Sequence, residues 1–176
     1  MNFARCFSLA PLVLMVALTA CASGPRSATA ARTHALPDLQ SLDETRALAL
    51  IDELLLEAEQ EPHNGPWKVE LAPRAGLDVD VRLGKSGYGI EWVSDEDRLA
   101  YGDRLPAPDP DGQLRLLRAD DGHGQPALIL VLDHETYRFA SDARAARELG
   151  DERDVKQRLR RDLQDFIDYT KSQIAL

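Results

Sequence analysis

Residues Ala127 to Leu132 read ALILVL and carry no polar side chain. A strand with one face in water alternates apolar and polar residues, whereas a strand buried on both faces is apolar throughout. This stretch therefore predicts a central strand that is covered on both sides.

Shorter alternating segments precede this central strand. Residues 77–83 alternate strictly between apolar and charged side chains. Gly84 to Gly87 reads as a turn, so residues 77–93 are expected to form a hairpin with one apolar and one wet face. Further strands are predicted over residues 67–71, 88–92 and 114–118, with a hairpin turn at 120–124. Together these segments predict an antiparallel meander of about five strands.

A helix is predicted on each side of the meander. Ser41 to Glu44 has the pattern of a capping box with Ser41 as N-cap, and the apolar spacing that follows predicts a helix over 42–60. The expected fold class is α+β: an N-terminal helix, the meander and a long C-terminal helix, in a single domain over residues 40–176.

The C-terminal helix is expected to run from Asp151 to about Ile174, after a short helix over 141–149. Its other faces are expected to be polar, with Asp162 among the charged residues there. Its predicted buried stripe consists of Val155, Leu159, Leu163, Phe166, Ile167, Thr170 and Ile174.

The first residues have the pattern of an export signal. Arg5 is followed by an apolar run, Phe7 to Ala20, which is shorter than the ~20 residues of a spanning helix. The run ends in Leu18-Thr19-Ala20-Cys21, which resembles the lipobox of bacterial lipoproteins. The resemblance covers only the first 21 residues and implies that the signal peptide, residues 1–20, is cut off and that Cys21 is lipidated. Several acyl chains make such an anchor stable.

Residues 21–39 are expected to form a flexible tether, because they are small and polar and contain two prolines. Ala22 follows the lipidated cysteine. In Gram-negative lipoproteins an aspartate at that position often causes retention at the inner membrane, so the resemblance implies the outer membrane, facing the periplasm, for a Gram-negative source.

Charge and cysteine usage exclude several function classes. The net charge of −9 disfavours binding to nucleic acid and to anionic lipid headgroups. The chain has two cysteines, Cys6 and Cys21, and Cys6 lies in the leader. A disulfide scaffold, a thiol nucleophile and a cysteine-ligated zinc site are therefore not expected.

The motifs that suggest chemistry are incomplete. Gly84-Lys85-Ser86 lacks the earlier glycine of a phosphate loop. The DPDG sequence at 109–112 lacks the final glutamate of a calcium loop. His134 and Glu135 could form half of an acid–base pair. No metal ion, cofactor or catalytic residue is expected.

The aromatic residues Trp67, Tyr88 and Trp92 could form a platform for a glycan. Trp67 and Trp92 are in phase with the apolar faces of their strands, so core packing is the favoured interpretation.

The sequence favours a non-catalytic envelope lipoprotein that binds a protein partner. The acidic excursion over 94–113 is the expected contact surface, unless Leu99 to Leu105 forms a short strand. Within the excursion the candidate binding residues are Asp95, Glu96, Asp97, Asp109 and Asp111. A small-ligand-binding lipoprotein is the first alternative, and a hydrolase with an acid–histidine site is the second.

Replacing Cys21 with alanine tests the lipid anchor. We expect the C21A variant to lose labelling by a radioactive fatty acid and to be released from membranes, because the thioether requires the thiol. Persistent membrane association of C21A would contradict the anchor.

Overall fold

The computed structural model describes residues 38–71, 75–108 and 112–174. The strands in these ranges are β1 Leu39–Ser41, β2 Pro62–His63, β3 Trp67–Leu71, β4 Ala75–Val79, β5 Val81–Leu83, β6 Tyr88–Val93, β7 Leu116–Asp120, β8 Pro126–Asp133 and β9 Arg138–Ala140. The helices are α1 Glu44–Glu57, α2 Asp95–Tyr101, α3 Ala146–Leu149 and α4 Glu152–Ile174, with 3-10 turns at Gly102–Arg104 and His134–Tyr137. No helix among the described residues is long and apolar enough to cross a membrane.

Strand β8 lies inside a seven-stranded sheet with the order β2-β5-β6-β8-β7-β3-β4. Its odd-numbered residues, such as Ile129, belong to one hydrophobic cluster, and Leu130 and Leu132 belong to another. The apolar run 127–132 is therefore a central strand covered on both faces, as its sequence predicts.

The α+β class is confirmed, but the sheet is mixed. β6 and β8 run parallel, with Tyr88 opposite Leu128 and Val93 opposite Asp133. The antiparallel meander of about five strands is wrong at this pair, because the chain leaves β6 through α2 and returns through β7 before entering β8. Parallel neighbours require such a crossover.

The alternating segment 77–83 is divided at Asp80. β4 pairs with β3 at one edge of the sheet, whereas β5 pairs with β6 on the other side. Leu77 and Val79 belong to one hydrophobic cluster, and Val81 and Leu83 belong to the other. β4 leads directly into β5, although the two strands lie toward opposite edges of the sheet. The sheet must therefore curl so that these two edges approach each other, and this curvature is called the curl below.

The first helix begins later than its sequence suggests. Its N-cap is Asp43, whose side chain accepts a hydrogen bond from the backbone N–H of Arg46 at 2.9 Å. The predicted N-cap, Ser41, instead pairs with Arg138 in the small sheet of β1 and β9. The helix ends at Glu57 and not at residue 60, and Glu59 adopts a left-handed φ of 58°.

The predicted C-terminal helix is confirmed, except for one residue of its polar face. The buried residues of α4 follow the predicted stripe from Val155 to Thr170, and the side chain of Ile174 lies outside the described residues. Asp162 is also buried, and its carboxylate accepts a hydrogen bond from Tyr137 Oη at 2.8 Å, which offsets the cost of burial. Of the short helix predicted over 141–149, only Ala146–Leu149 is helical, as α3.

Helices α1 and α4 cover one face of the sheet and form the larger hydrophobic cluster with it. Trp92 is buried there, and Tyr88 meets Phe166 edge-to-face at 6.4 Å. Trp67 is buried in the second cluster, inside the curl. Both tryptophans are thus core residues, as their phase in the strands predicts.

Gly89 tests how tightly the curl is packed. A Cβ atom at this position would lie 2.5 Å from Trp67 and 2.9 Å from Val79. We expect Gly89→Ala to lower the free energy of unfolding by about 1–3 kcal/mol through overpacking. Chemical denaturation measures the change. Gly65→Ala is the matched control, because nothing lies within 4 Å of a Cβ atom there. Equal stabilities of the two variants would contradict the close packing of Gly89 against Trp67 and Val79.

Candidate functional site

The parallel pair of strands brings two connecting segments together. Val93 at the end of β6 is opposite Asp133 at the end of β8. Beyond these residues the chain enters α2 on one side and the 3-10 turn His134–Tyr137 on the other. The carboxyl ends of parallel strands are common positions for binding sites, because loops from neighbouring strands converge there.

Helix α2 is fixed at its beginning by a capping box. Ser94 Oγ accepts a hydrogen bond from the backbone N–H of Asp97, and Asp97 Oδ2 accepts one from the N–H of Ser94 at 2.9 Å. The alternative of a strand over Leu99 to Leu105 is therefore wrong. The Ser94-Asp-Glu-Asp97 sequence is a capping signal, with aspartate in place of the usual glutamate at the third position.

An ion pair holds α2 against the end of β8. Nε and Nη2 of Arg98 donate to Oδ2 of Asp133 at 2.6 and 2.5 Å, and Asp133 is only 4% exposed. Arg98 also donates to the carbonyl oxygen of Pro106 at 2.5 Å. Oδ1 of Asp133 accepts a hydrogen bond from the N–H of Glu135 at 2.9 Å. One carboxylate thus positions both connecting segments.

His134 lies between these two segments. Its Nδ1 is 3.1 Å from the carbonyl oxygen of Val93, and its Nε2 is 3.3 Å from Oδ1 of Asp95. One ligand atom from each of Asp95, His134 and Glu135 can be chosen so that all three atoms lie within 4.8 Å of one another. The sequence identified His134 and Glu135 as half of an acid–base pair, and the fold adds Asp95 to them.

One buried and one half-buried carboxyl group interact electrostatically with Asp97 of α2. Glu91 is 3% exposed, and its Oε2 accepts a hydrogen bond from the N–H of Asp80 at 3.2 Å. Oδ2 of Asp80 accepts in turn from the N–H of Trp92 at 2.7 Å. Asp80 lies between β4 and β5, just before the backbone pairing of β5 with β6 begins. The two side-chain hydrogen bonds therefore link this residue to β6 in place of backbone hydrogen bonds.

Burial and like charge shift the acidity of both carboxyl groups. Desolvation, followed by the charges of Asp80 and Asp97, raises the pKa of Glu91 from 4.5 to about 9. Desolvation also raises the pKa of Asp80 from 3.8 to about 6, with Glu44 and Asp97 adding like charge, although the Trp92 N–H opposes the shift. Glu91 is therefore protonated at neutral pH.

The predicted binding residues fall into three groups. Asp95 and Glu96 are exposed on α2, and Asp97 is half-buried because it caps the helix. Asp109 and Asp111 lie outside the described residues, as does Cys21. Sequence reasoning missed Leu99, whose side chain is 88% exposed on the same helix.

No protein family, curated protein or solved structure matches this chain. The chemistry of the site follows from its own side chains: one imidazole and the exposed carboxylates of Asp95 and Glu135. Such a set of donors is suited to binding cations and basic groups.

The substitution Glu91→Gln tests whether the Glu91 carboxyl group holds a proton in the folded state. The folded state keeps a proton on Glu91 up to about pH 9, whereas an unfolded glutamate loses it near 4.5. Stability of the wild type therefore falls as pH rises between these values, by up to about 1.4 kcal/mol per pH unit. Glutamine retains the acceptor oxygen and carries no charge.

We therefore expect the E91Q variant to match the wild type near pH 4 and to exceed its stability increasingly toward pH 8. Urea denaturation across this range measures the difference. Glu70→Gln is the control, because Glu70 is exposed on β3. If the free energies of unfolding of E91Q and the wild type change with pH in the same way, Glu91 does not hold a proton in the folded state.

Proposed function

We propose that this protein is a membrane-anchored envelope lipoprotein whose folded domain binds a partner protein through α2. The observation that carries the proposal is the side chain of Leu99, 88% exposed on a helix with three acidic residues in its first turn. The α2 surface, defined as Asp95, Glu96, Leu99 and Asp103, is an apolar centre with an acidic rim. Protein interfaces commonly have this arrangement.

The α2 surface is presented on a rigid support. Arg98 on α2 is tied to the buried Asp133, and Leu105, just beyond the helix, is 3% exposed in the core inside the curl. Leu99 therefore projects from a helix whose position is fixed before binding. A preformed surface loses less conformational freedom on association than a loop that must order.

Charge supports a partner with a basic surface. Asp95 and Glu96 are exposed beside Leu99, and the net charge of the chain is −9. The complementary surface is an apolar pocket with a basic rim, because opposite potentials steer association and like potentials oppose it. Lipidation at Cys21 and the predicted tether, which excludes Leu39 because that residue lies in β1 and pairs with Ala140, would confine the domain to a membrane surface and raise the effective concentration of a partner there.

Small-ligand binding is a second candidate. A groove of about 360 Å³ is lined by residues that include Tyr88, Leu128 and Tyr169, between the sheet and α4. Its size falls in the range of small-molecule sites. Its position beside the amino-terminal part of β8 separates it from α2, so substitutions in α2 distinguish the two candidates.

Photo-crosslinking from α2 tests the proposal. We expect a photoreactive residue at position 99 to give a discrete crosslinked product in intact cells, because this side chain would be covered by the partner. The same residue at position 56 is the control, since Leu56 is exposed on α1 and is not part of the α2 surface. Glu96→Lys, made in the position-99 protein, should abolish the product by reversing the rim charge.

Point substitutions are preferable to deletion of residues 94–113. The deletion would also remove the buried Leu105 and Arg98, the ion-pair partner of Asp133, and so disturb the fold. Equal crosslinking from positions 99 and 56, or a product that survives Glu96→Lys, would contradict docking through α2. Loss of the same product on Cys21→Ala would indicate that the anchor brings the partners together.

A further inference from the structure

We infer that Asp95, His134 and Glu135 form a binding site for a divalent transition-metal ion of the Zn²⁺ type. The site consists of one imidazole nitrogen and two carboxylate oxygens at the carboxyl ends of β6 and β8. Asp95 also belongs to the acidic rim of the α2 surface, but the inference does not depend on the proposed docking.

The first support is the tautomer of His134. The carbonyl oxygen of Val93, 3.1 Å from Nδ1, can only accept a hydrogen bond. Oδ1 of Asp133, 3.7 Å from the same nitrogen, is also an acceptor. Nδ1 therefore carries the proton of the neutral ring, which leaves the lone pair on Nε2. A histidine ligand is commonly fixed by a backbone carbonyl in this manner.

The second support is what Nε2 faces. Oδ1 of Asp95 lies 3.3 Å from Nε2, so two electron-pair donors point at one another. A metal ion between the two atoms would accept an electron pair from each. Two ligand atoms bound at about 2.1 Å and separated by 3.3 Å form an angle of about 100° at the metal, which lies between octahedral and tetrahedral values.

Glu135 completes the set. Its carboxylate is within 4.8 Å of the other two ligand atoms, and its backbone N–H is held by Asp133. Oε1 of Glu135 also lies 3.5 Å from Nη1 of Arg138 in a half-exposed pair. Exposed pairs of this type contribute about 0–1 kcal/mol, so a metal ion displaces Arg138 at little cost.

The mixed donor set indicates the class of ion. Imidazole suits Zn²⁺, Fe²⁺ and Ni²⁺, whereas Ca²⁺ and Mg²⁺ prefer oxygen donors alone. The side chain of His134 is 13% exposed and that of Asp95 is 86% exposed, so the site is reached from solvent while its nitrogen ligand is held in place. Three protein ligands leave one tetrahedral position for water or another donor.

Titration of the detergent-solubilised full chain with Zn²⁺ tests the site, with calorimetry for affinity and Co²⁺ absorption for coordination. We expect one ion per chain in the wild type. His134→Ala and Asp95→Asn should each weaken Zn²⁺ binding about 10- to 100-fold or more. Ca²⁺ should bind at least about tenfold more weakly than Zn²⁺.

Two variants serve as matched controls. His123→Ala changes an exposed histidine in the turn between β7 and β8, and Asp165→Asn changes an exposed carboxylate on α4. Both should retain wild-type affinity. If His134→Ala fails to fold, the exposed ligands changed in Asp95→Asn and Glu135→Gln carry the test.

The inference is overturned if the wild type binds no Zn²⁺, if His123→Ala weakens binding as much as His134→Ala, or if Ca²⁺ binds as tightly as Zn²⁺. The first outcome would mean that the contact between His134 and Asp95 is an ion pair only.

Discussion

Burial of β8 on both faces is the constraint on which the other elements depend. Residues 127–132 offer no polar side chain to water, so both sides of the strand must be covered. Helices α1 and α4 cover one side, and the curled part of the sheet covers the other with Trp67, Val69 and Leu77. Two separate hydrophobic clusters are the result. A strand in this position also needs a hydrogen-bonded neighbour on each edge, and β6 and β7 supply them.

The elements that could be predicted are those whose apolar spacing is decided locally. The helix α4, the strand β3 and the central strand β8 lie where their sequences place them. The division of 77–83 could not be predicted, because the alternation continues through Asp80 while the strand changes from one partner to another. The parallel direction of β6 relative to β8 could not be predicted either. Apolar periodicity indicates which face of a strand is buried, but it does not indicate the direction of the neighbouring strand. At the start of α1 the predicted N-cap, Ser41, is taken up by the pairing of β1 with β9, and Asp43 caps the helix instead.

The candidate site was predicted only in part for the same reason. His134 and Glu135 are neighbours in sequence and could be considered together, but Asp95 reaches them only because β6 and β8 are parallel. Glu91 looked like an ordinary polar residue on the wet face of a hairpin. The curl encloses that face, so the carboxyl group is removed from solvent. It accepts a hydrogen bond from the backbone N–H of Asp80 instead of from water. Long-range pairing, which no local pattern encodes, thus places most of the polar chemistry.

The pairing of β1 with β9 also has a consequence for the order in which the chain acquires structure. Leu39 pairs with Ala140, and the cluster that contains Ile51 of α1 is completed by Phe166 of α4. The first and last elements of the domain therefore belong to the same core. A chain that emerges from the ribosome with its amino terminus first cannot bury this core until α4 has been synthesised. Contacts so distant in sequence also slow folding, because the loop must close before they form. The nascent domain consequently stays open until its last helix is available.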